Sequence, residues 1–238
     1  MERLKNLADC LDIEIHDEQI KQFQTYYEML IETNKVMNLT AITDLDEVIT
    51  KHFLDSIALA GIYKDIMHKD FKVIDLGTGA GFPGIPLKIV FPHLQIVLMD
   101  SLNKRINFLK SVIDALELSG IEAIHGRAEE MARKPQYRQQ FDLCVSRAVA
   151  NLCTLNEYCL PFVKTGGRFI SYKASNIEEE VNESKNAIKI LGGKLWDVKE
   201  LELPFSDIKR TFVFIDKIKD TPKGYPRKAG TASKEPIK

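Results

Sequence analysis

"VIDLGTGAGFPGIPLKIVFP", residues 73–92, decides how the rest of the chain reads. A short apolar run gives way to a stretch dense in glycine and proline, in which Gly77, Gly79 and Gly81 alternate. Packing alone does not ask for that. Glycine serves where a Cβ cannot be tolerated, at positive φ or where backbone must come close to something else. A strand, a glycine turn and a helix in succession aim helix N-terminal amides at a ligand.

The surroundings of this stretch set the fold. From Phe71 onward, apolar runs ("FKVIDLG", "LQIVLMD", "IEAIHG", "FDLCVSRA", "GGRFISYKA") alternate with helical segments ("PLKIVFP", "SLNKRINFLKSVIDALEL", "AEEMARKPQYRQQ", "NLCTLNEYCLPFV"). Such alternation predicts a parallel sheet joined by right-handed crossovers. After the helical "NIEEEVNESKNAIKILGG" come "KLWDVKELELP" and "RTFVFIDKI" with no helix between them, an antiparallel pair expected at the sheet edge. The fold class is therefore α/β, a doubly wound, mostly parallel, Rossmann-like sheet. Residues 1–66 read as a helical extension. Asp17 is the expected N-cap of a helix whose Ile20, Phe23, Tyr27, Leu30 and Ile31 recur at helical spacing, and Val48, Phe53, Ile57 and Leu59 repeat the pattern. Residues 67–218 form the expected ligand-binding domain and 219–238 a basic tail.

Composition fits a soluble protein with a sizeable core: 238 residues, 45% hydrophobic and 28% charged, with a formal net charge of -1. Cys10, Cys144, Cys153 and Cys159 form no CxxC pair, and three lie in apolar surroundings, which suggests buried thiols in a reduced compartment rather than a disulfide or zinc site. The start, "MERLKNLADC", has no apolar h-region and no apolar run approaches the ~18 residues of a membrane span. A cytoplasmic protein without a membrane partner is expected.

Two ligands compete for the glycine turn. "GAGFPG", Gly79 to Gly84, fits the dinucleotide pattern G-x-G-x-x-G, and Asp100 stands where a ribose-binding acid belongs. Asp75, Gly77, Gly79 and Gly81 fit D-x-G-x-G-x-G, the pattern of S-adenosylmethionine methyltransferases. Both ligands carry adenosine, so Asp100 suits either. A pyrophosphate turn needs no acid before its first glycine, whereas Asp75 can offset a sulfonium and an amino group. Pro83 and Pro86 also remove N–H donors that a phosphate would want. "HGRAEEM" places Ala128 and Glu129 after the third strand, where an acid or neighbouring amides can read an adenine edge; Glu129 there also suits a helix dipole alone. The fourth strand ends in "VSRAVANL", with neither Asn-Pro-Pro-Tyr nor Pro-Cys. Ser146 and Arg147 are what it offers, and an arginine in a cleft can stack on a base or contact the cofactor. An acceptor that needs no deprotonation, such as a guanine N7 lone pair, fits that set, and no residue stands out as general base. A methyltransferase of a protein or small molecule, an NAD oxidoreductase and a SAM-binding regulatory module remain as alternatives.

Taken in order, "NLTAITD", "HFLDSI", "DLGTGAGFPGIPLKI", "DSLNKRINFL", "GRAEE", "FDLCVSRAVA" and "YPRKAGT" span nearly the whole chain. In this combination the sequence resembles the glucose-inhibited division protein B (GidB) family, bacterial methyltransferases acting on N7 of a guanine in 16S ribosomal RNA. The resemblance implies S-adenosylmethionine as cofactor, with contacts at Gly77, Phe82, Asp100, Ala128, Glu129 and Arg147, and 16S RNA or a small-subunit particle as partner, with no obligate protein partner evident. The segment "YPRKAGTASKEP" departs from many relatives, which have proline after the threonine.

Charge agrees with an RNA partner. Residues 217–238 hold seven lysines and arginines against Asp220 and Glu235, with Tyr225 among prolines. Lys223, Tyr225, Arg227 and Lys228 are the RNA-binding candidates. With the cofactor expected on residues 75 to 147, the tail is expected to be dispensable for cofactor binding. His52 and Asp55 would share a helix face and carry no assigned role.

Overall fold

In the computed structural model, residues 1–174 and 177–238 are described. The helical lead holds α1 (Glu2–Asp9), α2 (Asp17–Met37) and α3 (Leu45–Val48). A π-helical turn (Ile49–Leu54) then passes into α4 (Asp55–Ile57) and α5 (Leu59–Ile62). Asp17 is not the N-cap of α2. His16 takes that place, its N–H donating to Gln19 Oε1 at 2.8 Å, while Asp17 begins the helix and pairs with Lys5 at 2.9 Å. A side chain reaching back from the third helical position does the work expected of a capping acid.

All seven expected strands form: β1 (Lys72–Leu76), β2 (Gln95–Asp100), β3 (Ile121–His125), β4 (Phe141–Arg147), β5 (Val163–Lys173), β6 (Gly193–Glu202) and β7 (Lys209–Lys217). Between them lie α6 (Gly84–Val90), α7 (Asn103–Ala115), α8 (Ala128–Met131), α9 (Leu152–Cys159) and α10 (Glu178–Ile190). The order is β3-β2-β1-β4-β5-β7-β6, with β1 to β5 parallel and β7 antiparallel to both neighbours. The β6–β7 pair occupies the expected edge, β6 outermost. A short α11 (Thr231–Lys234) follows. "AEEMARKPQYRQQ" forms a helix only over α8, because the chain turns at Arg133 to Arg138, where Pro135 lies.

Apolar residues cover both faces of the sheet. One layer joins Leu4, Phe23, Tyr26 and Phe53 of the lead to Val73, Leu98 and Phe214 of the strands, so the lead shares a core with the sheet. The other packs α9 and α10 against Ile74, Cys144 and Phe169. All four cysteines are free, and Cys10 is exposed. Parallel strands bring the residues following β1, β2, β3 and β4 to one edge, the carboxyl edge, where open α/β sheets bind ligands.

Candidate active site

Two cavities meet at that edge. The first, of about 410 Å³, is bordered by Gly77 after β1, Asp100 ending β2, Ala128 and Glu129 after β3, and Ala148 and Val149 after β4. The turn beneath it is tied down from several sides. Gly77 N and Thr78 N donate to Met99 O at 2.8 and 3.1 Å, and Gly79 N to Asp100 Oδ2 at 3.0 Å. Asp100 also accepts from Leu102 N at 2.9 Å and Arg105 Nη1 at 3.2 Å. Tyr26 of α2 donates to Ala80 O at 2.5 Å. Gly79 is at φ +62°, and a Cβ there would meet nothing within 4 Å. It faces open space.

Asp75 does not border the cavity. Its Oδ2 clamps the turn, accepting from Thr78 Oγ1 at 2.6 Å and Gly84 N at 2.8 Å, and its buried Oδ1 has no protein partner. Burial pushes this carboxyl up to about 6. Nor do Gly79, Gly81, Phe82 and Arg147 line the first cavity. Gly81 packs under Ile85 and Tyr26, and Phe82 points towards the second.

That second cavity, of about 550 Å³, is bordered by Lys51, His52, Asp55, Arg147, Lys173 and Arg210, with Ala148 common to both. Asp55 is fully buried between two guanidiniums, accepting from Arg147 Nη1 at 2.6 Å and Arg210 Nε at 2.5 Å. Arg147 also donates to Lys51 O at 3.1 Å and reaches His52 Nδ1 at 3.4 Å. The His52 ring stacks on Phe82 with centroids 4.6 Å apart, and Arg147 lies 5.1 Å from the same ring. Burial, then the Arg147 charge, holds His52 down at about 4, so the imidazole is neutral at pH 7. Since a guanidinium only donates, Nδ1 is the accepting nitrogen and Nε2–H faces Thr40 Oγ1 at 2.8 Å. The unassigned pair His52 and Asp55 thus belongs to the site, as do Arg210 and Lys173, which sequence reading did not single out. The one signal for Arg210 is a charged residue two positions before the apolar run Phe212–Ile215.

The tail is docked. Lys217 is buried, donating to Leu160 O at 2.6 Å and Thr221 Oγ1 at 2.5 Å, and burial draws it down to about 7. Arg227 forms a bidentate pair with Glu157, itself only 1% exposed. Tyr225 packs partly buried against the core. Lys223 and Lys228 are exposed, and no ion pair reaches them among the described residues. Gly230 N donates to Glu129 Oε1 at 2.9 Å, and Gly230 and Ser233 border the first cavity. The first cavity is therefore not confined to residues 75 to 147: Gly230 and Ser233, at the end of the tail, close one side of it.

The residues present fit S-adenosylmethionine. Gly77, at φ +72° with no room for a Cβ beside Val149, brings bare backbone to the cavity, an acid ends β2, and a buried carboxylate with an unpartnered oxygen lies under the turn to offset positive charge. A doubly wound sheet with this site at its carboxyl edge is that of a class I S-adenosylmethionine-dependent methyltransferase. Solved structures agree on the fold: a SAM-dependent methyltransferase from Aquifex aeolicus matches with a TM-score of 0.53 at 16% identity, over 74% of this chain and 94% of that one. The fibrillarin pre-rRNA processing protein of Methanococcus jannaschii matches at 0.50 and 20%, over 64% and 69%.

The family profile described as "GidB: rRNA small subunit methyltransferase G" matches residues 19–211. Proteins named ribosomal RNA small subunit methyltransferase G are 53% identical in Lachnoclostridium phytofermentans, over 95% of this chain and 93% of that one, and 52% identical in Alkaliphilus metalliredigens, over 99% and 98%. The chain belongs to this family.

Proposed function

We propose that this protein transfers a methyl group from S-adenosylmethionine to N7 of a guanine in 16S ribosomal RNA, free or within a small-subunit particle, in the cytoplasm. The observation that carries the reading is the shared border at Ala148. A base held in the arginine-lined cavity abuts the place where the cofactor sits. The cofactor supplies an electrophilic methyl on a sulfonium centre when bound. Gly77, Asp100, Ala128 and Glu129 border it, and Asp75, Gly79, Gly81 and Phe82 shape and clamp the turn beneath.

Guanine N7 carries a lone pair and no proton, so the chain's task is to align that lone pair in a water-poor site. Arg147 and Arg210 suit the neighbouring O6, an acceptor, and cannot be deprotonated to act as bases. Two guanidiniums share one carboxylate, which leaves the cavity electropositive towards RNA. His52, neutral and stacked on Phe82, fixes the Arg147 fork. Residues 1–66 serve as the wall that brings Asp55 and His52 to the sheet, residues 67–218 as the catalytic domain, and Lys223 and Lys228 of the tail as RNA contacts. Arg227 and Tyr225 act there mainly by shaping the tail's backbone. No helix is long and apolar enough to cross a membrane among the described residues.

The test is to incubate the protein and labelled cofactor with naked 16S RNA and with small-subunit particles, then map N7-methylguanine by strand scission. A single modified guanine is expected, lost in Arg147→Ala while cofactor binding persists. Label on protein, or at another ring atom, refutes the reading.

A further inference from the structure

We infer that residues 221–234 are a structural wall of the cofactor cavity, closing over the adenine end of S-adenosylmethionine. This rests on reading the first cavity as the cofactor site. Because β7 runs antiparallel to β5, the chain leaves β7 at the edge opposite the site, where Lys217 binds Leu160 O before β5 begins. The following residues climb back along α8 and α9 to the carboxyl edge.

Each step of the climb is held by a group that lies outside the tail. Arg138 donates to Thr221 O at 2.8 Å and Tyr225 O at 2.9 Å, and Arg133 to Pro226 O. Glu157 accepts from Arg227 N at 2.6 Å as well as from its guanidinium, and Thr154 Oγ1 donates to Ala232 O at 3.1 Å. These anchors place Gly230 against Glu129 and Ser233 on the cavity border. Charge-assisted pairs to a carboxylate this deeply buried are the strong class of hydrogen bond, so the strap is a fixed part of the pocket and not a trailing end.

Strand order identifies which end of the cofactor it covers. The glycine turn follows β1, Asp100 ends β2 and Ala128 and Glu129 follow β3, the outermost strand. With the ribose at Asp100, the base falls beyond it at β3, which is where Gly230 and Ser233 stand. An apolar or bulky group at position 233 therefore competes with the cofactor's base, although the position lies far in sequence from the glycine motif.

The experiment measures S-adenosylmethionine affinity by calorimetry without RNA, alongside thermal unfolding. Ser233→Trp is expected to weaken binding by roughly tenfold or more through lost pocket volume, with the melting temperature preserved. A chain ending after Lys228, which keeps Arg227 on Glu157, is expected to lose affinity by a similar factor. Lys219→Ala, exposed and outside the strap, should bind cofactor as the wild type does. Wild-type affinity in folded Ser233→Trp, or in the folded shortened chain, overturns the inference. Failure of the wild type itself to bind S-adenosylmethionine overturns it through the underlying site assignment, whereas a different methylated RNA position leaves it standing.

Discussion

The two cavities are built in opposite ways. The floor of the first comes from one contiguous turn, residues 75–84, and single residues at successive strand ends, held by main-chain N–H groups that donate to Met99 O and to the Asp75 and Asp100 carboxylates. The second is held by one carboxylate whose partners lie 92 and 155 residues away, Arg147 and Arg210. One depends on glycine conformation and main-chain hydrogen bonds, the other on buried charge. They should therefore fail differently.

Removing the buried charge gives the largest expected effect. Asp55→Ala leaves two guanidiniums facing a buried void, and breaking such a pair costs about 3–5 kcal/mol. Urea unfolding should show a loss of that order; a change under about 1 kcal/mol would mean that the arginines turn to solvent and the comparison fails. The matching lesion in the turn beneath the first cavity is smaller in stability and larger in binding. Gly79→Ala places a Cβ at φ +62° into open space, with backbone strain of about 1–2 kcal/mol. Cofactor affinity should fall while the RNA-facing arginines keep their ion pairs; calorimetry with unchanged affinity would count against the turn as the cofactor's seat.

Acidity sharpens the contrast further. Burial raises the Asp75 carboxyl from 3.8 to about 6, so the folded chain holds its proton over a range where the unfolded chain has lost it. The stability this group contributes is full below about pH 4 and is lost as pH rises through 6. Wild type should accordingly gain on Asp75→Asn by about 1 kcal/mol between pH 7 and pH 5, read from paired denaturant curves. No gap opening in that window would place Asp75 in a wetter setting. The smallest effect is expected of the second cavity: with His52 already neutral and the arginines always charged, single-turnover methyl transfer should be nearly flat from about pH 6 to 9. A steep rise through neutrality would reveal a base.

This asymmetry also explains what the sequence disclosed. All seven strands were legible because period and turn chemistry are local, and the glycine turn because Gly77, Gly79 and Asp100 obey a fixed spacing. Arg147 was legible as a strand-end residue, but not its partner. Nothing near Asp55 in sequence announces Arg210, since a pair spanning 155 residues exists only once α4 and β7 share a core. The docking of the tail was hidden for a related reason. Its positive charge is plain in composition, yet Arg227 is neutralised by Glu157 and Lys217 is buried, and neither fact leaves a mark on local pattern. Likewise Asp17 had the composition of a cap, and Gln19 took the role from three residues beyond His16.

The path of the tail bears on how the protein comes into being. The sheet and the glycine turn are complete by Lys217, but Gly230 and Ser233 are translated only after every strand. Domains fold as units around their apolar layers. Residues 1–217 supply the bulk of both apolar layers and the whole Asp55 cluster, so these can form while one side of the first cavity still stands open. On the reading proposed above, the grip on the cofactor is then completed last, after the architecture is already settled.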